Sequence, residues 1–306
     1  LGAMLMIEDI SAEKRMKSTM SRYMDPALAD RLMGAEGGED LLGGKSAEAT
    51  VLFSDIRGFT ALTEKLGAQA TVLLLNDYFT IMVECLAKEG GMLDKFIGDA
   101  IMAAFGLPLP LGDDADRALR AAIAMLTSLE EWNAKRRNLG ESPWEMGIGI
   151  NTDLVVSGNI GSPKRMDYTL IGDGVNLAAR LESACTIYSA RLLISEFTRE
   201  KLKGAYRIRH IDDVVVKGKT EPVAVHEVLD SHSAAAFPNL MDVINNFNEA
   251  RMRYKSGDFE KSIRSFKQCL KAHPGDNLSK TYIERCQRLM ADTPKDWDGV
   301  WVLTVK

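Results

Sequence analysis

Two aspartates carry the first chemical suggestion in this chain. The stretch Val51-Leu-Phe-Ser-Asp-Ile-Arg-Gly-Phe-Thr60 reads as a buried strand that meets an acidic residue, Asp55, and breaks at Gly58 into a helix start. A carboxylate oxygen is a hard ligand suited to Mg²⁺. A helix N-terminus offers unpaired N–H donors and a partial positive charge to phosphate. The competing reading is that Asp55 merely caps the helix. The second aspartate, Asp99, falls at a hairpin tip, where aspartate is also a common turn residue. Together they supply what two-metal phosphoryl chemistry needs, carboxylates held close on rigid strands with ions roughly 3.5–4 Å apart. Adjacent strands would put the two side by side.

The elements that must position them follow from hydrophobic periodicity. A strand over 50–53 leads into the Asp55 turn, and a helical stretch over 58–87 breaks near Gly67. Residues 92–97 and 100–105 form a hairpin with Gly98-Asp99 at its tip. A long helix over 113–139 carries Ala118, Ala121, Ala122, Met125 and Leu129 on one side. Strands at 144–151 and 154–160 are expected around a Thr152-Asp153 turn. A strand over 166–171 and a helix over 175–184 follow, then a strand at 192–194, a helix at 196–202, and strands at 210–216 and 223–228. Helices and hairpin-joined strands in this mixture favour an α+β sheet with helices on one face over a doubly wound parallel sheet.

The flanks differ from this middle. Residues 1–47 read as an N-terminal helical linker, with Met16, Met20 and Met24 on an amphipathic stripe over 11–34 that suits a parallel helix pair from two chains. Asp25-Pro26 opens its second part. After a linker at 231–238, residues 239–306 read as three helices ending in Trp297-Asp-Gly-Val-Trp301. Their spacing resembles one and a half tetratricopeptide repeats, which stack in threes or more to bury a core. Such a fragment must dock on the preceding domain or on a protein partner, and a plain helical extension is an equal alternative.

Composition bounds the function. A net charge of −5 argues against nucleic acid, which demands a basic face. No apolar run approaches the roughly 20 residues of a bilayer span, and no signal peptide is visible. Four scattered cysteines without a CxxC pair and four histidines without ligand spacing point to reduced, structural thiols in a cytoplasmic protein and away from zinc.

Three motifs then match a family closely. Phe53-Ser-Asp-Ile-Arg-Gly-Phe-Thr60, Asp94-Lys-Phe-Ile-Gly-Asp-Ala-Ile-Met-Ala-Ala-Phe-Gly106 and Tyr168-Thr-Leu-Ile-Gly-Asp-Gly-Val-Asn-Leu-Ala-Ala-Arg-Leu-Glu182 resemble class III nucleotidyl cyclases over residues 48–230. The resemblance implies a ferredoxin-like core and a head-to-tail homodimer with its active sites at the interface. It implies two divalent cations, Mg²⁺ or Mn²⁺, held by Asp55, Asp99 and the backbone at Ile56, with terminal phosphates on the turn Gly58, Phe59 and Thr60. Asn176 and Arg180 match the pair that positions the ribose and stabilises charge on the α-phosphate. Their i,i+4 spacing puts both on one helix face, and arginine's planar fork grips phosphate oxygens. Lys217, with Lys219 as its neighbouring competitor, matches the lysine of the leaving phosphates.

Lys95 and Thr169 match the positions that read the purine. Adenine offers an acceptor at N1 and a donor at N6, which suit a lysine donor and a hydroxyl acceptor. Guanine would present N1–H to the ammonium and leave buried polar groups unpaired, at a cost of roughly 1–3 kcal/mol each. Guanylate-type members carry glutamate where Lys95 stands. The resemblance therefore implies an adenylate cyclase of the bacterial Lys/Thr type, acting on ATP. Guanylate cyclase, or a silent nucleotide-binding regulatory module, are the alternatives, and a diguanylate cyclase lacks its Gly-Gly-Asp/Glu-Glu-Phe signature here. Asp55 and solvent are the candidates for taking the 3′-OH proton.

Two departures stand out. Gly147 replaces a strand arginine of animal members, with Arg57 as a candidate substitute. Asp153 replaces a glycine, which strains the turn if φ must be positive. An upstream sensor acting through 11–34 is expected, and threonine-type relatives are also linked to bicarbonate or CO₂ response.

Overall fold

The structure, a computed structural model, describes residues 44–162, 165–215 and 222–292, with Trp297 and Gly299 beyond them. The expected helix over 11–34, Lys217, Lys219 and Trp301 lie outside the described residues. The sheet opens with β1 (Lys45–Ile56). Its residues alternate between two buried faces, Ala49 and Val51 on one and Leu52 and Ile56 on the other. Burial on both faces explains the near-continuous apolar run read from the sequence.

Next come α1 (Phe59–Leu66), α2 (Ala68–Lys88), β2 (Met92–Ile97), β3 (Ala100–Phe105), α3 (Asp114–Asn138) and β4 (Met146–Ser162). The strands line up β2-β3-β1-β4, and every pair is antiparallel. This is the βαββαβ arrangement of a ferredoxin-like core. The chain continues through β5 (Arg165–Ile171), α4 (Asp173–Tyr188), β6 (Leu192–Ser195), α5 (Glu196–Lys201), β7 (Ile208–Val215) and β8 (Pro222–Val228). These extend the sheet as β4-β6-β8-β7, and β5 pairs back on β4.

Helices cover both faces, not one. α2 and α3 close one face through Tyr78, Met82, Leu119 and Met125. α4 lies on the other, with Val175 and Ala178 against Ala49, Val51 and Met102. α2 is also long and apolar enough by length and composition to cross a membrane, which counting along the sequence did not anticipate. Its Tyr78, Met82, Cys85 and Leu86 are buried. The four cysteines are buried free thiols.

The expected turn at Thr152-Asp153 does not exist. β4 runs unbroken, and Thr152 stands opposite Thr50, their hydroxyls 2.9 Å apart. Asn151 is buried, donating to the Gly174 carbonyl at 2.9 Å and accepting from Ser195 at 2.6 Å. Polar residues that look like a turn are thus a cross-strand network inside the sheet. Asp153 needs no positive φ, so the anticipated strain is absent.

Three further helices, α6 (Leu240–Lys255), α7 (Phe259–Ala272) and α8 (Asn277–Ala291), share one core with the sheet. Phe247, Phe266 and Tyr282 pack in the same cluster as Leu181 and Tyr188 of α4 and Val225 of β8. Trp297 joins them edge-on to Tyr254 at 5.2 Å.

Candidate active site

β1 ends at Ile56 and α1 begins after Gly58, whose φ of 66° is left-handed. The helix has no side-chain cap, so Asp55 is not the N-cap that the sequence allowed. Its Oδ1 instead accepts from the Ile56 N–H at 3.0 Å. The first N–H groups of α1 have no partner within the helix, and a negative charge is favoured there.

The β2–β3 hairpin brings Asp99 to Asp55, close enough for the carboxylates to be in hydrogen-bonding contact. Burial, then the Asp55 carboxylate, push Asp99 up to about 6. Asp99 Oδ2 is buried without a hydrogen-bond partner. Beneath the pair, the Tyr78 hydroxyl donates to Met146 Sδ at 3.3 Å. Burial and the two carboxylates raise its pKa far above the usual value.

A third carboxylate, Glu182 of α4, was not assigned from the sequence. Burial, then the charge of Asp55, raise it to about 7. Its place depends on two glycines of β4. A Cβ at Gly149 would lie 2.1 Å from the Glu182 backbone nitrogen, and one at Gly147 would lie 2.9 Å from Cys185 Cβ and 3.4 Å from Glu182 Oε1. Gly147 stands opposite Asp55, so the missing side chain there is replaced by close approach of α4. Arg57 does not fill the gap. Its guanidinium donates to the carbonyls of Cys185 and Ala190 and lies 3.9 Å from Glu145.

Lys95 and Thr169 meet through a residue the sequence reading passed over. Thr169 Oγ1 donates to Asp94 Oδ2 at 3.0 Å, and Lys95 Nζ lies 3.6 Å from the same oxygen. Burial raises the Asp94 pKa, and Lys95 and Thr169 oppose that shift.

Asn176 is exposed and Arg180 half-buried on α4, away from its buried side of Leu177, Ala178 and Leu181. Residues 180 and 182 are about 200° apart around a helix. Glu182 is turned to the Asp55–Asp99 pair, so Arg180 faces away from the pair of its own chain. The chain therefore gathers Asp55, Ile56, Asp99 and Gly58–Thr60 in one place and Lys95 with Thr169 in another, and carries Asn176 and Arg180 on α4.

The donor set at Asp55 and Asp99 suits a hard cation. Among the described residues no three His, Cys, Asp or Glu side chains form a metal cage. Mg²⁺ does not require one, since it binds through one or two carboxylates plus substrate phosphates and water. An orphaned buried carboxylate oxygen facing a second carboxylate fits that role.

Known proteins share this fold. The family model described as "Adenylate and Guanylate cyclase catalytic domain" matches residues 44–228. The chain is 35% identical over 279 residues to "Adenylate cyclase, terminal-differentiation specific" of Dictyostelium discoideum, a match covering 89% of this chain and 13% of that protein. That match takes in part of the C-terminal helices. The chain spans 13% to 36% of the length of the first curated relatives it matches. The crystal structure of the adenylyl cyclase CyaB from P. aeruginosa superposes with a TM-score of 0.58 at 42% identity, covering 62% of this chain and 98% of that one. The guanylyl cyclase Cya2 superposes at 0.57 with 40% identity, covering 61% and 94%. The chain belongs to the adenylate and guanylate cyclase catalytic domain family.

Proposed function

We propose that this chain is an adenylate cyclase catalytic unit that converts ATP to 3′,5′-cyclic AMP and pyrophosphate at a site shared by two copies. The observation that carries the reading is the Asp55–Asp99 pair, with an unpartnered buried oxygen, beside the uncapped start of α1. The 3′-hydroxyl attacks the α-phosphorus while the bond to pyrophosphate breaks. Divalent cations bound by Asp55, Asp99 and the Ile56 carbonyl would neutralise the triphosphate and lower the pKa of the 3′-hydroxyl. The N–H groups of Phe59 and Thr60, freed by the Gly58 turn, hold the terminal phosphates. Asn176 orients the ribose, Arg180 meets the charge growing on the transferred phosphate, and Lys217 meets the departing pyrophosphate. Asp55 or solvent takes the proton.

Arg180 and Asp55 face apart within one chain, which supports a homodimer in which each copy completes the other's site. Mixing tests this. Asp55→Ala and Arg180→Ala are each inactive alone, and their heterodimer regains one working site. Heterodimers that form without recovering activity would refute the shared site.

Identity does not choose the base, because an adenylyl and a guanylyl cyclase match about equally well. Lys95 with Thr169 favours adenine. Purified protein assayed with ATP or GTP and Mg²⁺ or Mn²⁺ decides it, and cyclic GMP alone would overturn the assignment.

A further inference from the structure

We propose that Asp94 is the positioning residue that makes the base site read adenine, by accepting the hydrogen bond of the Thr169 hydroxyl and anchoring the Lys95 ammonium. The inference rests on the reading that Lys95 and Thr169 meet the purine. Asp94 owes its position to a β-bulge. In the β2–β3 register Leu93 is opposite Ala103 and Lys95 opposite Met102, so Asp94 is the extra residue. Successive strand residues point to opposite faces. A bulge breaks that alternation and re-aims a side chain. Here it leaves Asp94 and Lys95 in contact, with Lys95 Nζ 3.6 Å from Asp94 Oδ2.

The same oxygen accepts from Thr169 Oγ1 at 3.0 Å. A threonine hydroxyl has one proton and two acceptor lone pairs. With the proton committed to Asp94, only lone pairs are left for a ligand, and these accept from an amino group such as adenine N6. A keto oxygen at the same place meets lone pairs on both sides. The Asp94 side chain is wholly shielded from solvent, whereas Lys95 is 39% exposed. Asp94 Oδ1 is buried without a partner. The carboxylate is thus held inside while the ammonium remains available to a base. Asp94 decides which way two neighbouring groups present their hydrogen bonds.

The experiment is a double-mutant cycle read as substrate ratios. The full chain and the Asp94→Leu, Thr169→Val and doubly substituted variants are assayed with ATP and with purine riboside triphosphate, which lacks the 6-amino group. Wild type prefers ATP by about tenfold, the size of one neutral hydrogen bond. Thr169→Val and Asp94→Leu each reduce that preference to near unity, and the double variant adds nothing further. Ratios taken within each variant are unaffected by how much of it folds. Retention of the full preference by Asp94→Leu, or equal losses in both backgrounds, overturns the role of Asp94. Retention of the preference by Thr169→Val instead overturns the base-reading assignment itself. A wild-type arm needs no variant. 6-Methoxypurine riboside triphosphate keeps the N1 acceptor and places an acceptor oxygen at position 6. Turnover below that of purine riboside triphosphate is expected, and turnover at the ATP level means Thr169 donates to the base, which overturns the proposal.

Discussion

At the β7–β8 end of the sheet, the back of the molecule, Asp212, Asp213, Glu227 and Asp276 each meet a cation; at the front, around the end of β1, Asp99 meets Asp55, and Glu182 lies within reach of their charge. Arg285 reaches Asp212 at 2.7 Å, and Arg209 reaches Glu227 at 2.6 Å and Asp276 at 2.9 Å. Arg251 and Lys255 of α6 reach Asp213 at 2.8 and 2.7 Å. The Tyr188 hydroxyl adds a bond to Asp212 at 2.7 Å. A hydrogen bond from His210, then those lysine and arginine charges, hold the Asp213 carboxyl far below its usual range. Burial raises Glu227 against the pull of Arg209, whereas at the front burial and like charge act together and push Asp99 to about 6 and Glu182 to about 7. Buried charge that is matched within the chain fastens α6 and α8 to the sheet. Half-buried carboxylates set against one another cost stability, and such clusters mark candidate ligand sites.

The sharpest break in this contrast comes from removing one front carboxylate. Asp55→Ala or Asp99→Ala is expected to cut cyclase turnover on the order of 10⁴-fold, roughly 5 kcal/mol of barrier. The same variants should melt no lower than wild type without divalent cations, because repulsion is relieved. Mg²⁺ or Mn²⁺ should raise the wild-type Tm, by about 2.7 kcal/mol of added stability at a hundredfold excess over Kd, and leave both variants unmoved. Differential scanning with and without EDTA reads this, and a variant that still gains from the metal puts the binding elsewhere.

The back should respond in the opposite sense. Arg285→Ala strands Asp212 in the interior, and losing one partner of a buried pair costs about 3–5 kcal/mol. Urea unfolding should show that loss, while activity per folded molecule is retained. Loss of turnover without loss of stability would mean the back region serves the reaction directly.

The front was legible in the sequence because short motifs bound its chemistry. Asp55, Gly58 and Asp99 are fixed by a strand end, a left-handed turn and a hairpin tip, each of which leaves a local signature. What was not legible depends on register and on long-range approach. Asp94 acquires its place from a one-residue bulge, and nothing local to Asp94-Lys95 announces it. Glu182 lies inside a quoted motif, but its nearness to Asp55 follows from two glycines of β4 that let α4 settle on the sheet. Asn151-Thr152-Asp153 has turn composition, yet tertiary hydrogen bonds to Thr50, Gly174 and Ser195 override it. The helices at 240–291 were visible by period. Their attachment through buried arginines was not, because pairing across 73 residues, as between Arg285 and Asp212, leaves no pattern along the chain.

The smallest expected effect separates the two regions by pH. His226 of β8 is buried beside Glu196 of α5, to which its Nε2 is hydrogen-bonded, and its ring lies 4.6 Å from that of His210. Burial, then the neighbouring His210, lower its pKa from 6.5 to about 4, and the Glu196 carboxylate only partly offsets this. The folded state therefore favours the neutral ring. The unfolded chain takes up a proton near pH 6.5 and the folded chain does not until about pH 4, so stability is lost as pH falls between those values. The full shift corresponds to roughly 3 kcal/mol at most. Glu196 is depressed to about 2, chiefly by Arg199. Its contribution is present above pH 4.5 and is lost only as pH falls through 2, so the two windows do not coincide. Urea unfolding at pH 7.5, 6, 5 and 4.5 should show the first loss in wild type, and His226→Gln should flatten it while leaving turnover at pH 7.5 unchanged. An undiminished acid limb in His226→Gln would take that loss away from His226, and it cannot come from Asp99 and Glu182, whose raised pKa values favour folding as pH falls. The sign of the slope between pH 6.5 and 4.5 thus tells which region dominates acid stability.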